Sequence, residues 1–299
     1  MERNTILLIG SSGWVAHYTI PDLIENGYEV IGVSNTKEPL HNIENYQLDI
    51  HDTDYLDKIK EINCDAILNM LHAKDYERSF KIHVDLADYC KESAKHYTFM
   101  SSSNAIDGDV SKPHYETDKA FGGTDYGKYK AKCEHYLYEE MPEALIIRFP
   151  ATHGYAPNRV ARTEEFLKRL KNGETVTCSR GIYQCRPFVG HLSKMIAKTV
   201  SEKESGIFHM SATTESEEFD FLQRLAEAFG YSKDRVVSGD EMKWNMTIFL
   251  LKKFMRDMVM SISSLKLIRL KWWQAVLTYQ STKNKFVINV IRVIGHFGN

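Results

Sequence analysis

The sequence predicts an α/β protein with a doubly wound parallel sheet and a smaller mixed α/β part formed by insertions and the C-terminus. Three observations predict it. Short, unbroken apolar runs alternate with amphipathic segments through the first half, as in strands buried on both faces and joined by helices. A glycine-containing turn stands between the first run and the first amphipathic stretch. After Phe149 the alternation stops, with no linker rich in Pro, Gly or Ser to mark a detached module.

Ile6-Leu-Leu-Ile9 reads as the first strand and Trp14 to Asn26 as the first helix. Asn26-Gly27 turns the chain into a second strand, Tyr28 to Val33. Tyr46 to Ile50 and Ala66 to Asn69 are predicted as the third and fourth strands. A polar helix from Tyr76 to Ala94 leads to strand Tyr97–Met100, and a helix over Lys128 to Met141 leads to strand Ala144–Phe149. Beyond Pro150 and Pro157, Thr163 to Lys171 and Phe219 to Phe229 read as helices, ended near Gly173 and Gly230.

Composition narrows the function classes. The chain has 299 residues, 43% hydrophobic and 26% charged, with 7 Pro and 17 Gly, which excludes disordered and collagenous chains. No stretch approaches the roughly 18 apolar residues of a membrane span, and the first apolar run is too short for a signal peptide, so a cytoplasmic protein is expected. Five cysteines without a CxxC pair argue against a disulfide framework and a zinc site; free buried thiols and no metal are expected. From Met242 onward ten Lys and Arg face the single acid Asp257, a balance of +9 that leaves −11 for the first 241 residues of a chain of net −2. Nucleic-acid binding by the whole protein is not indicated.

Gly10-Ser-Ser12-Gly13-Trp14-Val15-Ala16 occupies the strand-to-helix turn where dinucleotide phosphates bind. Gly10 allows the tight turn, Gly13 the close approach of a pyrophosphate, and the helix N-terminus offers free N–H groups. Taken alone, such a turn is common in ordinary proteins; its place after strand one gives it weight. An acid at the end of strand two would accept from the 2′-hydroxyl of NAD. Ser34, Asn35 and Lys37 stand there instead, with no carboxylate before Glu38, so NADP is favoured and NAD is the alternative.

A second constellation joins Ser101-Ser-Ser103 after strand five to Tyr126-Gly-Lys-Tyr-Lys130 at a helix start. In an open α/β sheet both fall at the carboxyl ends of the strands, where ligands bind. Four residues apart on a helix, a phenol and an ammonium share one face. The ammonium would favour the phenolate, and with the serine hydroxyl the pair could pass a proton to a carbonyl oxygen as hydride arrives. Tyr115/Lys119 and Tyr279/Lys283 share the spacing, but the first lies in a loop and the second in the basic tail.

Together these motifs resemble the extended short-chain dehydrogenase/reductases, closest to the 4-dehydrorhamnose reductase (nucleotide-sugar 4-ketoreductase) branch. The likeness extends through Leu48-Asp49-Ile50, Asp65 to Asn69, Ser101 to Gly108, Arg148 to Gly154, Arg186 to Leu192, Gly206 to Ser211, and Ser261 to Lys266 with Trp272-Trp-Gln. It implies a Rossmann-like dinucleotide-binding domain over 1–152 with a return segment at 186–212. A substrate domain would use 153–185 and 213–280, followed by a basic apolar tail, 281–299.

The same resemblance implies Ser103, Tyr126 and Lys130 as the catalytic triad, Ser103 being chosen because it stands five residues before Gly108. Asp49 and Ile50 would flank the adenine and Leu71 would lie beside the cofactor. Ser103, Asn104, His153, Arg162 and Arg186 would line the nucleotide-sugar side, where an arginine fork suits a diphosphate. The chain also departs from the pattern. Asn104-Ala105 replaces the acidic pair of the 4,6-dehydratases, Leu71-His72 a pair of alanines, and His83 an asparagine that commonly helps to order the site. Both histidines are expected in packing or surface roles.

The leading expectation is NAD(P)H-dependent reduction of a keto group on a nucleotide-linked deoxy sugar in polysaccharide biosynthesis. An epimerase retaining NAD(P) and a non-catalytic dinucleotide-binding subunit are the alternatives, and the resemblance leaves room for a homodimer. For the tail, with Lys283, Lys285 and Arg292 among apolar residues, packing on the protein or on a second subunit is preferred over peripheral contact with an anionic membrane.

Overall fold

The computed structural model describes residues 4–35, 41–157, 160–245 and 248. Lys37, Tyr279/Lys283, the segment 261–274 and the tail 281–299 lie outside them. Strands β1 (Thr5–Ile9), β2 (Glu29–Ser34), β3 (Asn45–Gln47), β4 (Ala66–Asn69), β5 (His96–Met100), β6 (Leu145–Arg148), β7 (Val176–Gln184), β8 (Gly206–His209), β9 (Ser216–Glu217) and β10 (Val236–Asn245) form two sheets. The larger is all parallel, in the order β3-β2-β1-β4-β5-β6-β8. The strand order reverses between β1 and β4, which opens a crevice above their carboxyl ends. In the smaller sheet β7 lies between β10, parallel to it, and β9, antiparallel.

Burial explains the unbroken apolar strands. Ile6 and Leu8 of β1 face one layer, with α1 (Trp14–Glu25) and α6 (Val189–Ser201). Leu7 and Ile9 face the other, with α2 (Tyr55–Glu61), α3 (Tyr76–Glu92) and α4 (Asp125–Glu140). Alternate residues point to opposite faces, so a strand covered on both must be apolar at every position. A separate small core joins Phe166 and Leu170 of α5 (Arg162–Lys171), Val176 of β7, Phe219 and Ala226 of α7 (Glu218–Ala228), and Val236 of β10. All five cysteines are free and buried. Among the described residues no helix is long and apolar enough to cross a membrane.

Two polar devices tie the elements together. Pro21 lies inside α1 and has no N–H to give the carbonyl four residues earlier. That carbonyl, of His17, bonds His41 Nε2 at 2.7 Å instead, and the two imidazoles stack with centroids 4.7 Å apart. The residue following β2 and its loop is thereby fixed to α1.

The second device is a buried ion pair. Arg148, the last residue of β6, is fully buried, and its Nη2 lies 2.7 Å from Glu134 Oε2 of α4. Arg148 Nε also donates to that carboxylate, and Nη1 donates to the Asp118 carbonyl at 3.0 Å. Ser101, just past β5, bonds the other oxygen of Glu134, and His209 of β8 lies 3.4 Å from Arg148 Nη1. One guanidinium thus joins the ends of three strands to a helix. Arg148→Met would leave a buried carboxylate without its cation and is expected to lower the unfolding free energy in urea by about 3–5 kcal/mol. The double variant with Glu134→Met should recover at least half of that loss; an additive loss would show that the two groups stabilise the fold independently.

Candidate active site

The glycine turn forms as its spacing requires. Gly10 has φ +86°, and a Cβ there would stand 2.8 Å from the Met70 carbonyl oxygen. The Gly10 and Ser11 amides both bond the Val33 carbonyl, closing the turn onto β2. Gly13 caps α1 with no side-chain hydrogen bond and is exposed, so the first amides of the helix face the crevice. Ala16 is buried against the sheet. Ser12 and Val15 are half-buried beside it. Trp14 points elsewhere: its Nε1 donates to the Tyr155 carbonyl at 2.6 Å, and the Tyr18 hydroxyl donates to the same oxygen at 3.0 Å. Both side chains pin the loop after β6 to α1.

At the end of β2, where the adenosine is expected, Ser34 is buried and bonded to Asn45 Nδ2 at 3.1 Å, and Asn35 is exposed. Asn35 Nδ2 donates to Asp49 at 2.9 Å. A carboxylate therefore reaches the end of β2 from the turn after β3. The His51 amide and Asn35 hold that carboxyl below its usual range. The strand predicted to run to Ile50 ends at Gln47, because the chain turns at Asp49. Arg78 of α3, which the sequence reading missed, fixes this turn by donating to the carbonyls of Ile50 and Asp52. Leu71 is half-buried after β4, its amide bonded to Asn69 Oδ1 at 3.0 Å.

Tyr126 and Lys130 occupy the first turns of α4, capped by Thr124, whose hydroxyl accepts from the Gly127 amide at 3.0 Å. Asp107 positions this helix start. Its carboxylate accepts from the Gly123 and Thr124 amides, the Thr124 hydroxyl and the Asn104 side chain. Gly127 is required for the fit, since a Cβ there would overlap the Asn104 carbonyl and the Asp107 carboxylate.

The serine expected as the hydroxyl partner of Tyr126 is Ser103. It opens a 3-10 turn, Ser103–Ile106, with its amide bonded to the Phe149 carbonyl and its side chain buried. Ser102, extended at φ −155° and ψ 156°, acts to lower the pKa of the Tyr126 phenol, and its hydroxyl donates to Asn104 Oδ1 at 3.2 Å. Asn104 is half-buried beside it and donates its amide to Ser102 Oγ at 3.1 Å.

The electrostatics also differ from expectation. Burial pushes the Tyr126 phenol up to about 12, only partly opposed by Ser102, so it is a neutral donor rather than a phenolate. Lys130 is buried; its Nζ lies 5.7 Å from the Tyr126 ring centroid and donates to the Met100 carbonyl at 2.7 Å. Desolvation draws its pKa down to about 8. His72, expected on the surface, is exposed, with its ring 5.7 Å from that of Tyr126.

The residues expected on the sugar side divide. His153 is buried between Phe188 and Phe221, and its Nδ1 meets no hydrogen-bond partner among the described residues. Burial, with His191 and Arg186 nearby, lowers it to about 4. Arg186 stacks over Phe221 and bonds Glu218 and the Ser216 carbonyl. Arg162 stands exposed at the start of α5, with no contact to this group among the described interactions.

Between about 8 and the ordinary 10.5, the unfolded chain holds a proton on Lys130 that the folded chain has released. Folding stability from this group therefore rises with pH across that window. In urea unfolding, wild type is expected to gain stability relative to Lys130→Met between about pH 7 and about pH 10. A difference that does not change with pH would show that the lysine is not desolvated.

Comparison with known proteins gives matches over most of the chain. The family described as RmlD substrate binding domain matches residues 4–246. The Haloferax volcanii protein named “Probable low-salt glycan biosynthesis reductase Agl14” is 22% identical over 236 residues, 74% of this chain and 79% of that one. Among solved structures, a dTDP-4-dehydrorhamnose reductase from Bacillus anthracis in complex with NADP aligns with TM-score 0.69 and 15% identity, covering 85% of this chain and 92% of that one. A UDP-glucose 4-epimerase from Thermotoga maritima aligns with TM-score 0.72 and 20% identity over 91% and 99%. At these identities the two structures show a common fold.

Proposed function

Because the chain belongs to the RmlD substrate binding domain family, we propose that it reduces the keto group of a nucleotide-linked deoxy sugar with NADPH, NADH being the second cofactor admitted. The observation that supports this reading is the Tyr126/Lys130 pair in the first turns of α4, with Lys130 Nζ 5.7 Å from the Tyr126 ring centroid and Ser102 acting on the phenol. The names of the Haloferax relative, a glycan biosynthesis reductase, and of the Bacillus structure, a reductase with NADP, support it.

The turn fits a dinucleotide on an observation of its own: the first amides of α1 have no side-chain cap, and Gly10 at φ +86° packs so closely on the Met70 carbonyl that no Cβ fits there. Gly10, Ser12 and Gly13 would hold the pyrophosphate, with Val15 beneath them. Ser34, Asn35, Asp49 and Ile50 would face the adenosine, and Leu71 would lie beside the bound molecule. When bound, the cofactor supplies the hydride.

The remaining chemistry belongs to the chain. Ser102 orients the keto oxygen and shares it with the Tyr126 hydroxyl. The phenol, kept protonated by burial, donates its proton to that oxygen as negative charge develops there. Lys130, held on the Met100 carbonyl, presents positive charge beneath the site and favours the phenolate left behind. His153 and Arg186 are assigned to the nucleotide-sugar side, and the Nδ1 of His153 has no hydrogen-bond partner among the described residues.

With dTDP-4-dehydrorhamnose as probe, Tyr126→Phe and Ser102→Ala are expected to lower kcat by at least about 100-fold while NADPH binding changes little. Ser103→Ala should stay near wild type, and the reverse order of the two serines would overturn the choice of Ser102. Sugar converted without net loss of NADPH would identify an epimerase instead.

Fluorescence titration is expected to give a Kd for NADPH at least about tenfold below that for NADH. Tighter NADH binding would assign the Asp49 carboxylate to the ribose 2′-hydroxyl.

A further inference from the structure

A buried hydrogen-bond chain runs beneath the site, from the loop after β4 to α4. The Leu71 amide donates to Asn69 Oδ1 at 3.0 Å, and Asn69 Nδ2 donates to the Tyr97 hydroxyl at 2.8 Å. That hydroxyl lies 3.0 Å from His83 Nδ1, and His83 Nε2 lies 3.1 Å from the Cys133 carbonyl oxygen. Asn69, His83 and Tyr97 are all buried.

Both ends of the chain fix its direction. A backbone amide can only donate, so Asn69 presents its oxygen to Leu71 and its NH₂ to Tyr97. A carbonyl can only accept, so the proton of the His83 ring is on Nε2, facing Cys133. Nδ1 is then an acceptor, and the Tyr97 hydroxyl must donate to it. The four bonds point the same way, with no group asked to donate and accept in conflict.

Cys133 lies three residues beyond Lys130 on α4, and the Phe99 ring packs against both His83 (centroids 4.4 Å apart) and Lys130 (Nζ 4.5 Å from the centroid). We infer that His83 is a positioning residue: as the Nε2-protonated neutral imidazole it locks α4 to β4 and β5 through Tyr97 and Asn69, setting the placement of Tyr126 and Lys130. Burial lowers its pKa to about 3, with the Lys130 charge acting in the same direction. A protonated ring would turn a donor onto the Tyr97 hydroxyl and set a second cation beside Lys130.

The inference rests on the reductase reading, and the test separates the two. His83→Phe preserves an aromatic of similar shape but has neither nitrogen. His83→Gln loses the ring but keeps an oxygen and a nitrogen across one carbon, able to accept from Tyr97 and donate to Cys133. A lock predicts that the Phe variant loses about tenfold in kcat toward dTDP-4-dehydrorhamnose with KM nearly unchanged, and that Gln retains most activity. Tyr97→Phe should match His83→Phe, and the double variant should be no worse than either. A packing role predicts the opposite order; a Phe variant equal to or better than Gln overturns the inference. If wild type does not turn over this sugar, the functional reading fails, and ¹⁵N NMR of the wild-type protein still decides on His83. A neutral ring protonated on Nε2 from about pH 5 to about pH 8 is expected; a proton on Nδ1, or titration within that range, overturns the lock.

Discussion

The fold depends on a charge placed where charges are costly. A guanidinium with no solvent contact, at the end of β6, is tolerable only because Glu134, the Asp118 carbonyl and the surrounding polar atoms complete its hydrogen bonding. These partners come from α4, the loop before it and the neighbouring strand ends. The pair acts as a geometric condition more than as a source of stability. A helix sliding along the sheet by one residue would separate Glu134 from Arg148 and leave both charges buried. The same helix carries Lys130 one turn and Tyr126 two turns earlier, so the groups proposed for the chemistry inherit the register that the pair enforces.

Above this condition the site is assembled by short-range devices at strand ends. Asp107 gathers four donors and draws the 3-10 turn onto the first turn of α4, and Gly127 permits the approach. Arg78 does for the turn at Asp49 what Asp107 does for the helix start. Trp14 and Tyr18 carry the loop after β6 to the phosphate-binding helix through one shared carbonyl. In each case side chains satisfy backbone groups that a loop leaves open, and the connection becomes a wall of the crevice.

The larger sheet was legible in the sequence because its strands are buried on both sides. Ile6 to Ile9 and Ala66 to Asn69 have no polar interruption to confuse their reading. The smaller sheet was not. β10 is mostly exposed and carries Ser238, Gly239, Asp240 and Glu241 in succession, so no alternation marks it, and β7 is interrupted by Ser179, Arg180 and Gly181. The site was legible where residue type carries chemistry, as with the glycine turn and the Tyr126/Lys130 pair. It was less legible where local backbone decides: Ser102 and Ser103 are chemically identical, and the start of the 3-10 turn at Ser103 is what gives them different surroundings. Arg78, Asp107 and Glu134 gave no motif because their partners are carbonyls, amides and a distant strand.

Pro21 interrupts the hydrogen bonding of α1, and the carbonyl it leaves open is the one that binds His41. What looks like a fault in a helix is a docking point for the chain returning from the adenosine end. Any other residue at position 21 would restore the helical bond and compete with His41 for that oxygen. The two positions are therefore coupled in divergence. Among related chains, proline at the first should accompany a side-chain donor at the second, and a loop that changes its cofactor chemistry can do so between fixed ends only while both are kept.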